Sequence, residues 1–227
     1  MLDHIHLGCA NVYTTAFDLM NATKLGHYDA GFAGNVTIGS KIVPLGDSYI
    51  EITSIVDPFA TADAAKKPWW YRRAVVLKSA LFSGVCLRVN TMDELGDIAK
   101  RHRGTVRAAA TTLTPPDGPP LKFWEAPAVP GAADPSESGK PTWCYWENRL
   151  YRHPSGQPVV NAPGLVDPRG VAWMEMGGTK AQMQAWLGQN PDDLRMKFNG
   201  RLAGLYAVGI RTDAGEVEIR RPSAAGA

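Results

Sequence analysis

Leu2-Asp3-His4-Ile5-His6-Leu7-Gly8 is the stretch on which the reading of this chain turns. Its alternation of polar and apolar residues marks a β-strand, in which successive side chains point to opposite faces. His4 and His6 then share one face, while Ile5 and Leu7 share the other. Neutral imidazole is the commonest metal ligand and titrates near neutrality, so two on one strand face indicate a metal or acid–base site. A second stretch, Tyr49-Ile50-Glu51-Ile52-Thr53, sets a carboxylate between two isoleucines in another strand. A carboxylate so placed is costly unless paired, protonated or bound to a cation, and His4 is the expected partner.

Outward from that first strand, Asn11 caps a helix running to about Thr23, with Tyr13, Ala16, Phe17 and Met20 as its apolar stripe. A loop from Gly26 to Gly34 follows, then strands at 35–38, 41–45 and 48–52 separated by Gly39-Ser40 and Gly46-Asp47 turns. Residues 1–56 thus read β-α-β-β-β. Residues 57–82 are a connector, with a short helix at 60–67 and an aromatic and basic cluster, Trp69-Trp70-Tyr71-Arg72-Arg73. Base stacking is one use of such a cluster, but without a wider basic surface it reads as tryptophan packing on the domain.

At Gly84 the pattern restarts. Val85 to Asn90 is a strand, and Thr91-Met92-Asp93-Glu94 is a capping box opening a helix. Strands at Gly104–Val106, Leu121–Trp124 and Trp143–Glu147 complete a second β-α-β-β-β unit over 83–150, interrupted by a Pro- and Gly-rich loop whose mobile part is expected at Gly131–Lys140. A partial third unit, 168–222, holds a strand at Gly170–Met176, a helix capped by Thr179 and a hairpin at 205–219. Residues 223–227 read as a disordered tail. The fold class is α+β, with residues 1–222 forming one domain.

The 227 residues carry a net charge of only +2, with no basic block, which argues against nucleic acid or an anionic membrane as partner. No apolar run is long enough to span a bilayer and no signal peptide is visible, so a cytoplasmic location is expected. The three cysteines, Cys9, Cys86 and Cys144, are far apart without a Cys-x-x-Cys pair. They read as buried, inert thiols.

Taken together, Leu2-Asp3-His4-Ile5-His6-Leu7 and Leu45-Gly46-Asp47-Ser48-Tyr49-Ile50-Glu51-Ile52 resemble the vicinal oxygen chelate superfamily and, within it, the glyoxalase-like domain family. Pro116-Asp117-Gly118 with Phe123-Trp124, and Trp143 to Glu147 with His153-Pro154-Ser155-Gly156, are weaker carriers. The resemblance implies paired β-α-β-β-β modules forming a cupped mixed sheet around a divalent metal: zinc, manganese, iron, nickel or cobalt. It places ligands at His4, Glu51 and Glu147, with Gly84 where the second module would offer another, and His6 or His153 as additions. It implies an enzyme of lyase, isomerase or hydrolase type whose substrate chelates through adjacent oxygens.

On that reading His6 or Glu147 moves a proton, and Trp124, Trp143, Tyr145 and His153 line a pocket for a small, aromatic-sized substrate. Strand alternation from Glu147 puts Trp143 and Tyr145 on its face. The rival reading is a metal-free binding or drug-sequestering protein. A small-molecule substrate and a homodimer are the expected partners. His27 and His102 read as solvated.

Overall fold

The computed structural model describes residues 1–33, 38–57, 67–108, 122–128, 135–147, 153–157, 159 and 163–221. The first unit is β1 (Leu2–Gly8), α1 (Val12–Thr23), β2 (Tyr28–Ala33), β3 (Ile38–Pro44) and β4 (Tyr49–Ile55). A connecting helix, α2 (Trp69–Leu77), leads to the second: β5 (Leu81–Arg88), α3 (Met92–Arg101), β6 (Thr105–Ala108), β7 (Phe123–Ala128) and β8 (Thr142–Trp146). Their strands join in one eight-stranded sheet ordered β2-β3-β4-β1-β5-β8-β7-β6. That order is symmetric about the β1/β5 seam. Each unit's first strand lies parallel to its own fourth, and the two first strands pair antiparallel.

Of the expected strand at 35–38, only Ile38 lies among the described residues. The segment read as a loop before it supplies β2, and β3 starts at Ile38. The expected helix at 60–67 and the tail at 223–227 lie mainly or wholly outside the described residues, as do residues 131–134 of the expected loop, whose described remainder holds a 3-10 turn at Pro135–Ser138. Asn11 does cap α1, its side chain accepting from the amides of Tyr13 and Thr14. The helix, however, buries Val12, Ala16 and Thr23, with Leu19 against the core, and leaves Tyr13 and Phe17 more than half exposed. The buried stripe therefore sits one residue off the one the sequence suggests.

The third unit contains a full β-α-β-β-β sequence: β9 (Pro168–Met176), α4 (Lys180–Leu187), β10 (Met196–Phe198), β11 (Leu205–Thr212) and β12 (Gly215–Arg220). Its topology is another matter. The four-stranded sheet runs β10-β9-β11-β12, so its first strand lies between its second and third. At three residues β10 is too short to show alternation, which is why the sequence shows only a partial module. Val171, Met174, Val208 and Ile210 of this sheet join Ile5, Leu7, Val85 and Leu87 in one core. The apolar face of the β1/β5 seam is thereby sealed, and the chemistry is confined to the other face. Among the described residues no helix is long and apolar enough to cross a membrane.

Trp143 belongs to this core. It is 5% exposed, stacks on His102 at 5.3 Å between ring centroids and lies 6.0 Å from Trp186. His102 is thus packed against tryptophans rather than solvated. Trp143→Ala should lower unfolding free energy by about 3–5 kcal/mol, the usual cost of a large aromatic-to-alanine cavity, while leaving metal affinity unchanged. Urea denaturation alongside a metal titration checks both. A loss of affinity without loss of stability would return Trp143 to the pocket wall.

Candidate metal centre

The parallel pairing of β1 with β4 sets His4 opposite Tyr49 and His6 opposite Glu51, and the apolar partners Ile5/Ile50 and Leu7/Ile52 turn to the core. His4, His6 and Glu51 each offer one ligand atom, and the three atoms lie within 4.8 Å of one another. The Nε2 atoms of His4 and His6 are 2.9 Å apart, and His6 Nε2 is 3.5 Å from Glu51 Oε2. His4 is nearly inaccessible at 2%, whereas His6 is 33% exposed, so the group opens to solvent through His6.

Each donor has a support. His4 Nδ1 bonds Asp3 Oδ1 at 2.8 Å, and its ring stacks on Tyr49 at 4.9 Å. A carboxylate on Nδ1 fixes the tautomer with the lone pair on Nε2, the arrangement commonly found behind metal-bound histidines. The Ser40 hydroxyl donates to Glu51 Oε1 at 2.9 Å, leaving Oε2 toward His6.

Asp3 is the hub of the polar network and has no exposed surface. Besides His4, it accepts from Trp146 Nε1 at 3.2 Å, pairs with Arg88 at 3.3 Å and bonds His153 Nε2 at 3.0 Å. Burial pushes the Asp3 carboxyl up, but the bonds from His153 and His4 outweigh it and hold the group well below the usual carboxylate range. Burial likewise disfavours charge on His4. The field of Cys86 and the bond and charge of Asp3 reverse that and raise its pKa to about 9.

A bulge puts Asp3 there. Against β5, Leu2 pairs with Leu87 and His4 with Cys86, so β1 holds one extra residue between them. A bulge breaks strict alternation and re-aims a side chain, letting Asp3 and His4 meet on one face. Further along, His6 pairs with Gly84. A Cβ at Gly84 would lie 3.7 Å from that of His6, so glycine keeps the space beside His6 open. No donor comes from Gly84; the residue that β5 sets opposite His4 is Cys86.

The other expected site residues are dispersed. Glu147 lies beyond the end of β8, exposed and ion-paired with Lys122 at 3.2 Å, and joins no donor group with His4. Its carboxylate gains more from water and a lysine than from a dry sheet face. His153 reaches the network from behind, one ring nitrogen on Asp3 and the other on Ser155, so it supports Asp3 instead of facing substrate.

Trp143, Tyr145 and Trp124 pack on the core side. The face they were expected to line is occupied by Phe123 and Trp146, in a cluster with Cys86 and Cys144. Alternation counted from Glu147 gave the wrong parity because Glu147 is outside the strand. Asp3 and Ser40, both missed, carry no usable signal: strict alternation turns Asp3 away from His4, and Gly39-Ser40 reads as a turn. In the connector, Trp70 packs on β1 so closely that a Cβ at Gly8 would lie 2.6 Å from its ring, in keeping with the packing role expected of that cluster.

A family model described as a glyoxalase-like domain matches residues 2–187. Among solved structures, a hypothetical protein from Staphylococcus aureus aligns with a TM-score of 0.53 at 12% identity, covering 98% of this chain and 86% of its own. At that identity the likeness establishes the fold alone. A methylmalonyl-CoA epimerase from Mycobacterium tuberculosis aligns with a TM-score of 0.39 at 12% identity, covering 64% of this chain and 85% of its own. No curated protein sequence matches.

Proposed function

Because this chain belongs to the glyoxalase-like domain family, we propose that it is a metal-dependent enzyme acting on a small substrate that chelates through adjacent oxygens. The observation that carries the reading is the convergence of His4, His6 and Glu51 within 4.8 Å on two parallel strands. The donor set fits a divalent ion. Two nitrogens bound at about 2.1 Å stand about 3 Å apart at right angles, close to the 2.9 Å between the two imidazoles. Two histidines and a carboxylate suit zinc, manganese, iron, nickel or cobalt.

An ion held there would supply Lewis acidity toward a carbonyl or enolate-like oxygen, consistent with lyase, isomerase or hydrolase chemistry. The chain's own contribution is orientation. Asp3 keeps the proton on His4 Nδ1 and so frees Nε2, and Ser40 holds one Glu51 oxygen so that the other faces the donors. The exposed side of His6 is the approach for substrate, and Phe123 and Trp146 exclude water from the far side of His4. With His6 among the ligands, its Nε2 lone pair is committed to the ion, and its role becomes binding in place of proton transfer.

Metal analysis and titration of protein purified without a histidine tag test this reading. Wild-type protein should bind one hard or borderline divalent ion. His6→Ala should weaken that binding by about a hundredfold or more, since even residues supporting a ligand cost 10–100-fold, whereas Glu147→Ala should leave it unchanged. The reverse order would restore Glu147 as the ligand. Failure of the wild type to bind any divalent ion would favour the metal-free binding protein.

A further inference from the structure

His4 belongs to a second donor group as well. One of its nitrogens and the sulfurs of Cys86 and Cys144 also lie within 4.8 Å of one another, and all three residues are buried. Cys86 is the register partner of His4 across the seam; Cys144 lies on β8, which runs parallel to β5. Both are free thiols. Phe123 and Trp146 enclose them in an apolar cluster separate from the main core.

We propose that His4, Cys86 and Cys144 form a second, sulfur-rich metal site that takes thiophilic divalent ions such as zinc or cadmium and competes with the His4–His6–Glu51 centre. Three physical features support it. Thiolates prefer soft and borderline ions, whereas carboxylate with imidazole accepts harder ones such as manganese. The spacing is nearly right, since sulfurs bound at about 2.3 Å to a tetrahedral ion are about 3.8 Å apart, so donors already within 4.8 Å need move little. Charge also balances: a divalent ion on two thiolates and a neutral imidazole is net neutral, which matters where burial penalises uncompensated charge. Near neutral pH, filling the site releases the two thiol protons and the second proton of the His4 ring to solvent as the metal–sulfur and metal–nitrogen bonds form.

Competition follows from His4 itself. A neutral imidazole has one lone pair, and with Nδ1–H on Asp3 that pair is on Nε2. An ion held by the cysteines, on whichever nitrogen, therefore uses the one lone pair that the other centre needs. The sulfur site stands without the proposed function; only the competition rests on it.

Cobalt(II) and cadmium(II) titrations of the full chain near neutral pH test the proposal. Wild-type protein with cobalt should show the intense near-ultraviolet sulfur-to-cobalt charge-transfer band. Glu51→Gln should keep it; Cys86→Ser and, as an independent second variant, Cys144→Ala should each lose it, with unchanged far-ultraviolet circular dichroism. Cadmium affinity should drop by about a hundredfold or more in both cysteine variants, and cadmium should displace bound manganese from the wild type.

Absence of the band in wild-type protein, or cadmium affinity indifferent to both cysteine variants, would overturn the sulfur site. Failure of cadmium to displace manganese would overturn the competition. A charge-transfer band in protein that binds no manganese would instead defeat the proposed function and leave the sulfur site standing.

Discussion

His4→Ala is expected to weaken hard and soft metals alike, manganese and cadmium each by about a hundredfold or more, because its imidazole belongs to both donor groups. Among the donors themselves, no other single substitution should do this. Glu51→Gln should spare cadmium and Cys86→Ser should spare manganese, so the three variants form a closed set. Calorimetric titration with each ion reads it directly. Retention of either affinity in His4→Ala would show that the corresponding group does not use this histidine.

The second large effect is on stability. Asp3→Asn keeps shape but removes the charge that Arg88, His4 and His153 surround, at a position with no exposed surface. Removing one partner of a buried ion pair typically costs about 3–5 kcal/mol, because the remaining charge is stranded. The urea midpoint should fall accordingly. The acid limb should change too.

The folded-state pKa of Asp3 lies below its ordinary value, so the stability it contributes is complete above about pH 4 and is lost on acidification below that. The wild type should therefore lose stability faster than Asp3→Asn as the pH drops through that range. Equal acid limbs, or a loss under about 1 kcal/mol at neutral pH, would mean that the Asp47 carbonyl already beside Arg88 suffices to hold the guanidinium.

The sequence made β1, β4 and their shared face legible because both strands keep a two-residue period over residues whose polarity differs sharply, His against Ile and Glu against Ile. It also made the modular repeat legible, since each unit opens with a strand and a capped helix. The parity of β8 was not legible: every position from Trp143 to Trp146 is apolar or aromatic, so alternation had no polar reference and borrowed one from Glu147, beyond the strand end. Nor was Asp3 visible as a partner of His4, because neighbours in a regular strand face apart and only the bulge brings them together. The convergence of His4 and His6 was understated for a related reason. A backbone rise of about 6–7 Å over two residues describes the strand, not ring tips that lean to 2.9 Å.

The bulge at Asp3 makes the start of the chain unequally tolerant of length changes. Ahead of His4, the surplus residue sits outside the ladder, because Leu2 and His4 already face consecutive residues of β5. An indel there need not move any downstream pairing, but one that removes Asp3 strands Arg88, His4 and His153. Between His4 and His6 the strand has no such slack. Gain or loss of one residue reverses every later side chain, turning one histidine into the apolar core. In lineage comparison or loop grafting, the first histidine thus marks the boundary between an editable leader and a fixed frame.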